Sequence, residues 1–121
     1  MSENDNLRWL DHLPVGWAQL YRDLLSDLAA AGITVCVDEV KEKFGSLRVH
    51  LEPRVSEARP YIGAAEERSK VTCQRCGEPG EMLMRNRIVA TLCPAHGDGF
   101  SKPERPPVVT IYMKPGNISD E

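Results

Sequence analysis

Cys73-Gln74-Arg75-Cys76 and Cys93-Pro94-Ala95-His96 are the residues of this chain best suited to chemistry. Each motif holds two soft ligands split by two residues, and sixteen residues separate the motifs. That is the spacing of a tetrahedral metal site built from three thiolates and one imidazole, for which Zn²⁺ is the common occupant. Two ligands three residues apart grip one ion from a single tight turn. The second pair closes the tetrahedron from across a hairpin. Four protein ligands leave no open position for substrate, so the expected role is structural, and iron is the other ion such a set accepts. Three of the four cysteines fall in the pattern. Cys36, the fourth, sits in an apolar β-branched run and reads as a small strand residue.

The flanking residues suit this site. Gly77 follows the first pair, where a knuckle needs positive φ. Glu81 to Arg85 and Ile88 to Leu92 read as two short strands joined at Asn86-Arg87. Pro94 fits the first turn of a short helix presenting His96. The expected module is a zinc ribbon or a truncated treble clef. Met1 to Asp11 is polar and acidic, with no apolar export segment, so a reducing, cytoplasmic setting is expected. There, paired cysteines favour metal over disulfides.

The elements before the motifs must position them. Trp17, Leu20, Tyr21, Leu24 and Leu28 recur at three- and four-residue steps and predict a helix from about Pro14 to Ala31, stopped by Gly32. Ile33, Val35 and Val37 alternate with polar residues, as do Leu47, Val49 and Leu51. Both runs predict half-buried strands of a β-hairpin. The segment Lys41-Glu42-Lys43-Phe44-Gly45 is expected to connect them, with Phe44 folded back over the core. Ser56 to Lys70 predicts a second helix with Pro60 in its first turn. Tyr61, Ile62, Ala64 and Ala65 supply its apolar side. The sum is a single small α+β domain. Residues 1–13 are expected to be a flexible start, and residues 14–100 the domain, with the metal module at 71–99. Residues 101–121 read as a Pro-rich linker, a candidate edge strand at 108–113 and a tail.

Net charge is −3, which argues mildly against a dedicated nucleic-acid binder. The charge is uneven. Residues 1–40 carry two basic and seven acidic side chains, and residues 41–100 carry ten and eight. No stretch approaches the length of a membrane span. Lys41, Lys43 and Arg48 are candidate contacts for a phosphate, a nucleic-acid backbone or an acidic protein, or they pair with Glu39, Glu42 and Glu52. Asp23 and Asp27 on the first helix, or Ile111 on the candidate edge strand, are candidate contacts for a protein partner.

Enzyme readings fit poorly. His50-Leu51-Glu52 ahead of Cys73-x-x-Cys76 mimics the ligands of zinc deaminases. Thr72 stands where that pattern has Pro, however, and the scheme leaves Cys93 and His96 idle. A ββα nuclease would need His96 for catalysis, where it serves better as a ligand. The residues point instead to a non-catalytic interaction module, such as an inhibitor, immunity protein or adaptor. A nucleic-acid-associated regulator is the alternative.

The chain also carries Gly16-Trp17, Val40-Lys41-Glu42-Lys43-Phe44-Gly45-Ser46-Leu47-Arg48, Ala65-Glu66, Ser69, Cys73-x-x-Cys76-Gly77 and Leu92-Cys93-x-x-His96. Over about residues 14–97 this set resembles a family of small bacterial and phage-borne proteins with a Lys-Glu-Lys-Phe-Gly-x-Leu-Arg segment and a zinc-type cysteine cluster. The resemblance implies a bacterial or phage origin and a metal, and carries no activity with it.

Overall fold

A computed structural model of the chain describes residues 6–102. The candidate strand at 108–113, with Ile111, lies outside the described residues.

The apolar stripe at Trp17, Leu20, Tyr21, Leu24, Leu25 and Leu28 forms the buried face of helix α1, Ala18–Ala30, which a short 3₁₀ turn at Val15–Trp17 leads into. Gly32, at φ +75°, ends it. The Gly32 N–H donates to Ala29 O and the Ile33 N–H to Leu28 O, the paired bonds of a Schellman cap.

The first hairpin pairs β1, Val37–Lys43, with β2, Ser46–Leu51. Two expectations are corrected here. Lys41 and Lys43 belong to β1 itself, and the connection is only Phe44-Gly45, both at positive φ (53° and 80°). That is the backbone of a two-residue type I′ turn, whose twist matches the strands. The Glu42 carboxylate closes it by accepting the Gly45 N–H at 2.7 Å. Phe44 at the tip therefore points away from the core and is 60 % exposed. The strand also begins later than the alternation from Ile33 predicts. Buried Asn6 takes the backbone groups there, donating to Val35 O and accepting from the Val37 N–H, both at 3.0 Å.

Helix α2, Arg59–Ser69, follows a 3₁₀ turn at Ser56–Ala58 and lies along the outer edge of β2. Its buried residues are Ala65 and Ser69, while Ala64 is exposed. Ser69 Oγ accepts the Leu47 N–H at 2.8 Å and Glu66 accepts the Val49 N–H at 3.4 Å. These side chains satisfy strand donors that would otherwise offer a pairing edge. One core then gathers Trp17, Leu20, Tyr21, Leu24, Leu28, Val37, Val40, Leu47, Leu51 and Ala65 between α1, α2 and the inner face of the hairpin.

A second hairpin, β3 (Glu81–Arg85) and β4 (Ile88–Leu92), turns at Asn86-Arg87, with Asn86 at φ 57°. Its outer edge takes Ser101 as an antiparallel bridge partner of Met84. The described residues thus form a small α+β domain with two helices and two antiparallel hairpins.

Candidate metal centre

Cys73 and Cys76 sit on the knuckle before β3. Two backbone bonds shape it, Gly77 N–H to Cys73 O at 2.9 Å and Cys73 N–H to Glu78 O at 2.8 Å. Cys93 lies just after β4, and its carbonyl accepts the His96 N–H at 3.0 Å. That single turn replaces the short helix expected at Pro94. Residues 93 and 96 must turn toward one point, and one turn ended by Gly97 achieves it.

The four ligand atoms lie within 4.8 Å of one another. Cys76 Sγ is 3.6 Å from Cys93 Sγ, and His96 Nδ1 is 3.3 Å from Cys93 Sγ and 3.7 Å from Cys73 Sγ. Bonds of about 2.3 Å at tetrahedral angles place two sulfurs about 3.8 Å apart. The donor set therefore fits one tetrahedral ion, and Cys73, Cys76, Cys93 and His96 form a group positioned to bind a metal.

The local electrostatics prepare the first ligand. Burial pushes the Cys73 thiol up, but the backbone N–H groups of Cys93, Arg75 and Cys76, with the Cys76 side chain, bring it down to about 6. Arg75 N–H donates to its sulfur at 3.4 Å. Cys73 is then mostly thiolate at neutral pH. For Cys76, the Glu78 N–H lowers the pKa, but desolvation and the sulfurs of Cys93 and Cys73 outweigh it and raise the thiol. A cation among the four would remove that mutual repulsion.

The module is bolted to the domain at residues whose spacing gave no warning of it. Gly16 N–H donates to Gln74 O at 2.8 Å, and buried Trp17 donates through Nε1 to Thr72 O at 2.9 Å. A Cβ on Gly16 would run into Cys73 O and lie 2.6–2.7 Å from Gln74 C and Gly77 N. Only glycine lets α1 approach the knuckle this closely. On the other side, Thr91 in β4 is fully buried. Its Oγ1 donates to Gly45 O at 2.7 Å, its N–H to Gln74 Oε1 at 2.8 Å, and its carbonyl accepts the Gln74 N–H at 2.9 Å. The tip of the first hairpin, the knuckle and β4 meet at this one residue. Gly16-Trp17 and the Phe44-Gly45 turn, two separate parts of the family-like pattern, thus touch the metal module directly.

The other candidate residues separate into two groups. Lys41, Lys43 and Arg48 share the exposed outer face of the first hairpin, with Lys41 directly opposite Arg48. Glu39 approaches Lys41 only at 3.8 Å, and Glu42 is occupied with the turn. Asp23 is committed inside the fold. Hydrogen bonds from Gln19 (2.9 Å) and Arg68 (2.9 Å) hold its carboxyl below the ordinary value. Asp27 is exposed one turn further along α1. His50 pairs with Asp38 at 3.2 Å on the outer face of the first hairpin, so His50-Leu51-Glu52 is not part of the ligand cluster. No described helix is long and apolar enough to cross a membrane.

Comparison with protein-family models, curated proteins and solved structures gave no match.

Proposed function

We propose that this protein is a non-catalytic recognition module, stabilised by a structural Zn²⁺ on Cys73, Cys76, Cys93 and His96, that binds an acidic partner protein. An inhibitor, immunity protein or adaptor of bacterial or phage origin is the kind of molecule this describes. The observation that carries the reading is the outer face of the β1–β2 hairpin. Three cations project from it beside Glu39 and Glu66, leaving a net positive face on a strand pair whose β2 edge is held by α2. A rigid sheet loses little freedom on binding, and a net positive patch steers an oppositely charged surface. The acidic-helix alternative loses support because Asp23 already serves Arg68 and Gln19.

A nucleic-acid partner is the second reading, favoured by one feature. Phe44 is exposed at the hairpin tip beside this face, with Lys43 Nζ 5.7 Å from its ring centre, and an exposed aromatic among cations can stack on a base. The net charge of −3 and the lone aromatic rank it below the protein reading.

Affinity purification from the native host, with and without nuclease, tests both. One stoichiometric protein that survives nuclease is expected. Reversing Lys41, Lys43 and Arg48 to Glu should weaken that complex by about tenfold or more, while the metal content, read by mass spectrometry, stays at one zinc per chain. Co-purifying nucleic acid, with a steep salt dependence, would replace the protein reading by the second. Undiminished binding by the triple variant would remove the hairpin face from either.

A further inference from the structure

An open cleft lies away from the metal, between β2 and α2. It has a volume of about 640 Å³, within the range of small-ligand sites. Val49, Leu51, Val55 and Ile62 give it apolar walls, and Arg54 and Arg59 also line it. Neither arginine makes an ion pair among the described residues.

Two features of α2 have no explanation within the fold. Gly63 sits in the helix interior, where glycine is a poor helix former, yet a Cβ there would meet nothing within 4 Å. No packing demands glycine at that position. What its missing side chain does is leave the cleft open, since Gly63 lines it. Arg59 opens the helix, at the end where the macrodipole disfavours a cation. Both residues run against helix stability, and both face the same cavity.

We propose that this cleft binds a small organic anion, a carboxylate or phosphate carried on an apolar body about the size of an aromatic ring. Arg59, Ile62, Gly63 and Glu66 fall on one face of α2, spanning about 10 Å along the helix. The anion sits against Arg54 and Arg59. The apolar body lies over Gly63 against Val49 and Ile62. Glu66, which already accepts the Val49 N–H, repels the charged group from the far end and so fixes the orientation. His50, also on the rim, is engaged with Asp38. The neighbouring recess, bordered by Lys41, Lys43 and Arg48 with Glu39, shares Val49, His50 and Glu66 with the cleft. This site does not depend on the partner reading above.

The test is an amide NMR titration of the zinc-loaded full chain with three probes: phenylacetate, phenyl phosphate and neutral phenylacetamide. The anions should shift the amides of Val49, Ile62 and Gly63 and saturate with Kd on the order of millimolar, as ligands of this size do. Whichever anion binds more tightly names the headgroup. The neutral amide should bind at least about tenfold more weakly, given the charge-assisted bonds it lacks. Gly63→Leu should fill the cleft and abolish the shifts while raising the melting temperature. Joint replacement of Arg54 and Arg59 by Ala should weaken the anions about tenfold with the fold intact. Equal binding of all three probes, shifts confined to Lys41, Lys43 and Arg48, or unchanged binding by Gly63→Leu would each overturn the proposal.

Discussion

The two halves of this molecule are held together by different means. From Trp17 to Ala65, thirteen buried side chains of α1, α2, the first hairpin and the segments leading into them make one continuous apolar core. From Cys73 to Cys93 the buried cluster is four residues, and two of these, Cys73 and Cys93, belong to the group positioned to bind a metal. The first half can be stabilised by removing apolar surface from water. The second has little such surface, so the seam to its neighbour, and an ion on the four ligand atoms where one binds, would supply the rest of its folding free energy. A small domain can thus add a module without a core of its own, provided the seam is close-fitting. Here Gly16, Trp17 and Thr91 make it so.

The largest expected effect tests that contrast directly. Chelation, or Cys93→Ser, should remove a metal contribution that reaches about 10 kcal/mol or more in small zinc modules. Hydrogen exchange should then show β3 and β4 unprotected, with α1 and the first hairpin still protected. A well-folded, metal-free Cys93→Ser protein would show that the second half stands alone.

Gly16→Ala should come next. Its Cβ meets backbone atoms of the knuckle on several sides, so no side-chain rotation relieves the clash. We expect a loss of about 3 kcal/mol in denaturant unfolding, weaker metal retention, and little change within the first hairpin. An unaltered metal affinity would separate the seam from the site.

Thr91→Val keeps the shape and deletes the hydroxyl. Gly45 O then loses its 2.7 Å partner in a buried position, which should cost about 1–3 kcal/mol. If the two halves are coupled through this residue, the variant should make their unfolding transitions separate. A single shifted transition would place the coupling elsewhere.

The smallest effect belongs to the first half alone. Asp23 joins α1 to Arg68 of α2, and its folded pKa lies below its unfolded one. Its contribution is therefore complete above the ordinary carboxyl range and is lost as pH falls from about 4 through the folded value. Both side chains are about half exposed, so a double-mutant cycle with Asp23→Asn and Arg68→Gln should find no more than about 0.5 kcal/mol. A coupling several times larger would mean that helix docking relies on charge as well as packing.

The ligand set was legible from spacing, because two residues between paired ligands is a short-range constraint that survives in any fold. Both helices and the second hairpin were legible for the same reason, since their periodicities and turn residues act locally. The first hairpin was only half legible. Its apolar alternation shows, but the local pattern places Lys41 and Lys43 in a loop, because a two-residue turn headed by Phe is chemically unusual. Asn6 occupying the backbone at Val35 and Val37 was invisible, as it acts from about thirty residues away.

By itself, then, the sequence determined the spacing of a candidate metal site, the fold class and which residues must be apolar. Tertiary structure alone decided which surfaces meet. Gly16 is needed because a knuckle more than fifty residues later lies against it. Asp23 is hydrogen-bonded by Arg68 only once α2 docks beside α1, and Gly63 and Arg59 share a cleft only once α2 lies along β2. Spacing encodes what neighbours along the chain can do together. Contacts between distant segments depend on the shapes of whole elements, which no local pattern carries.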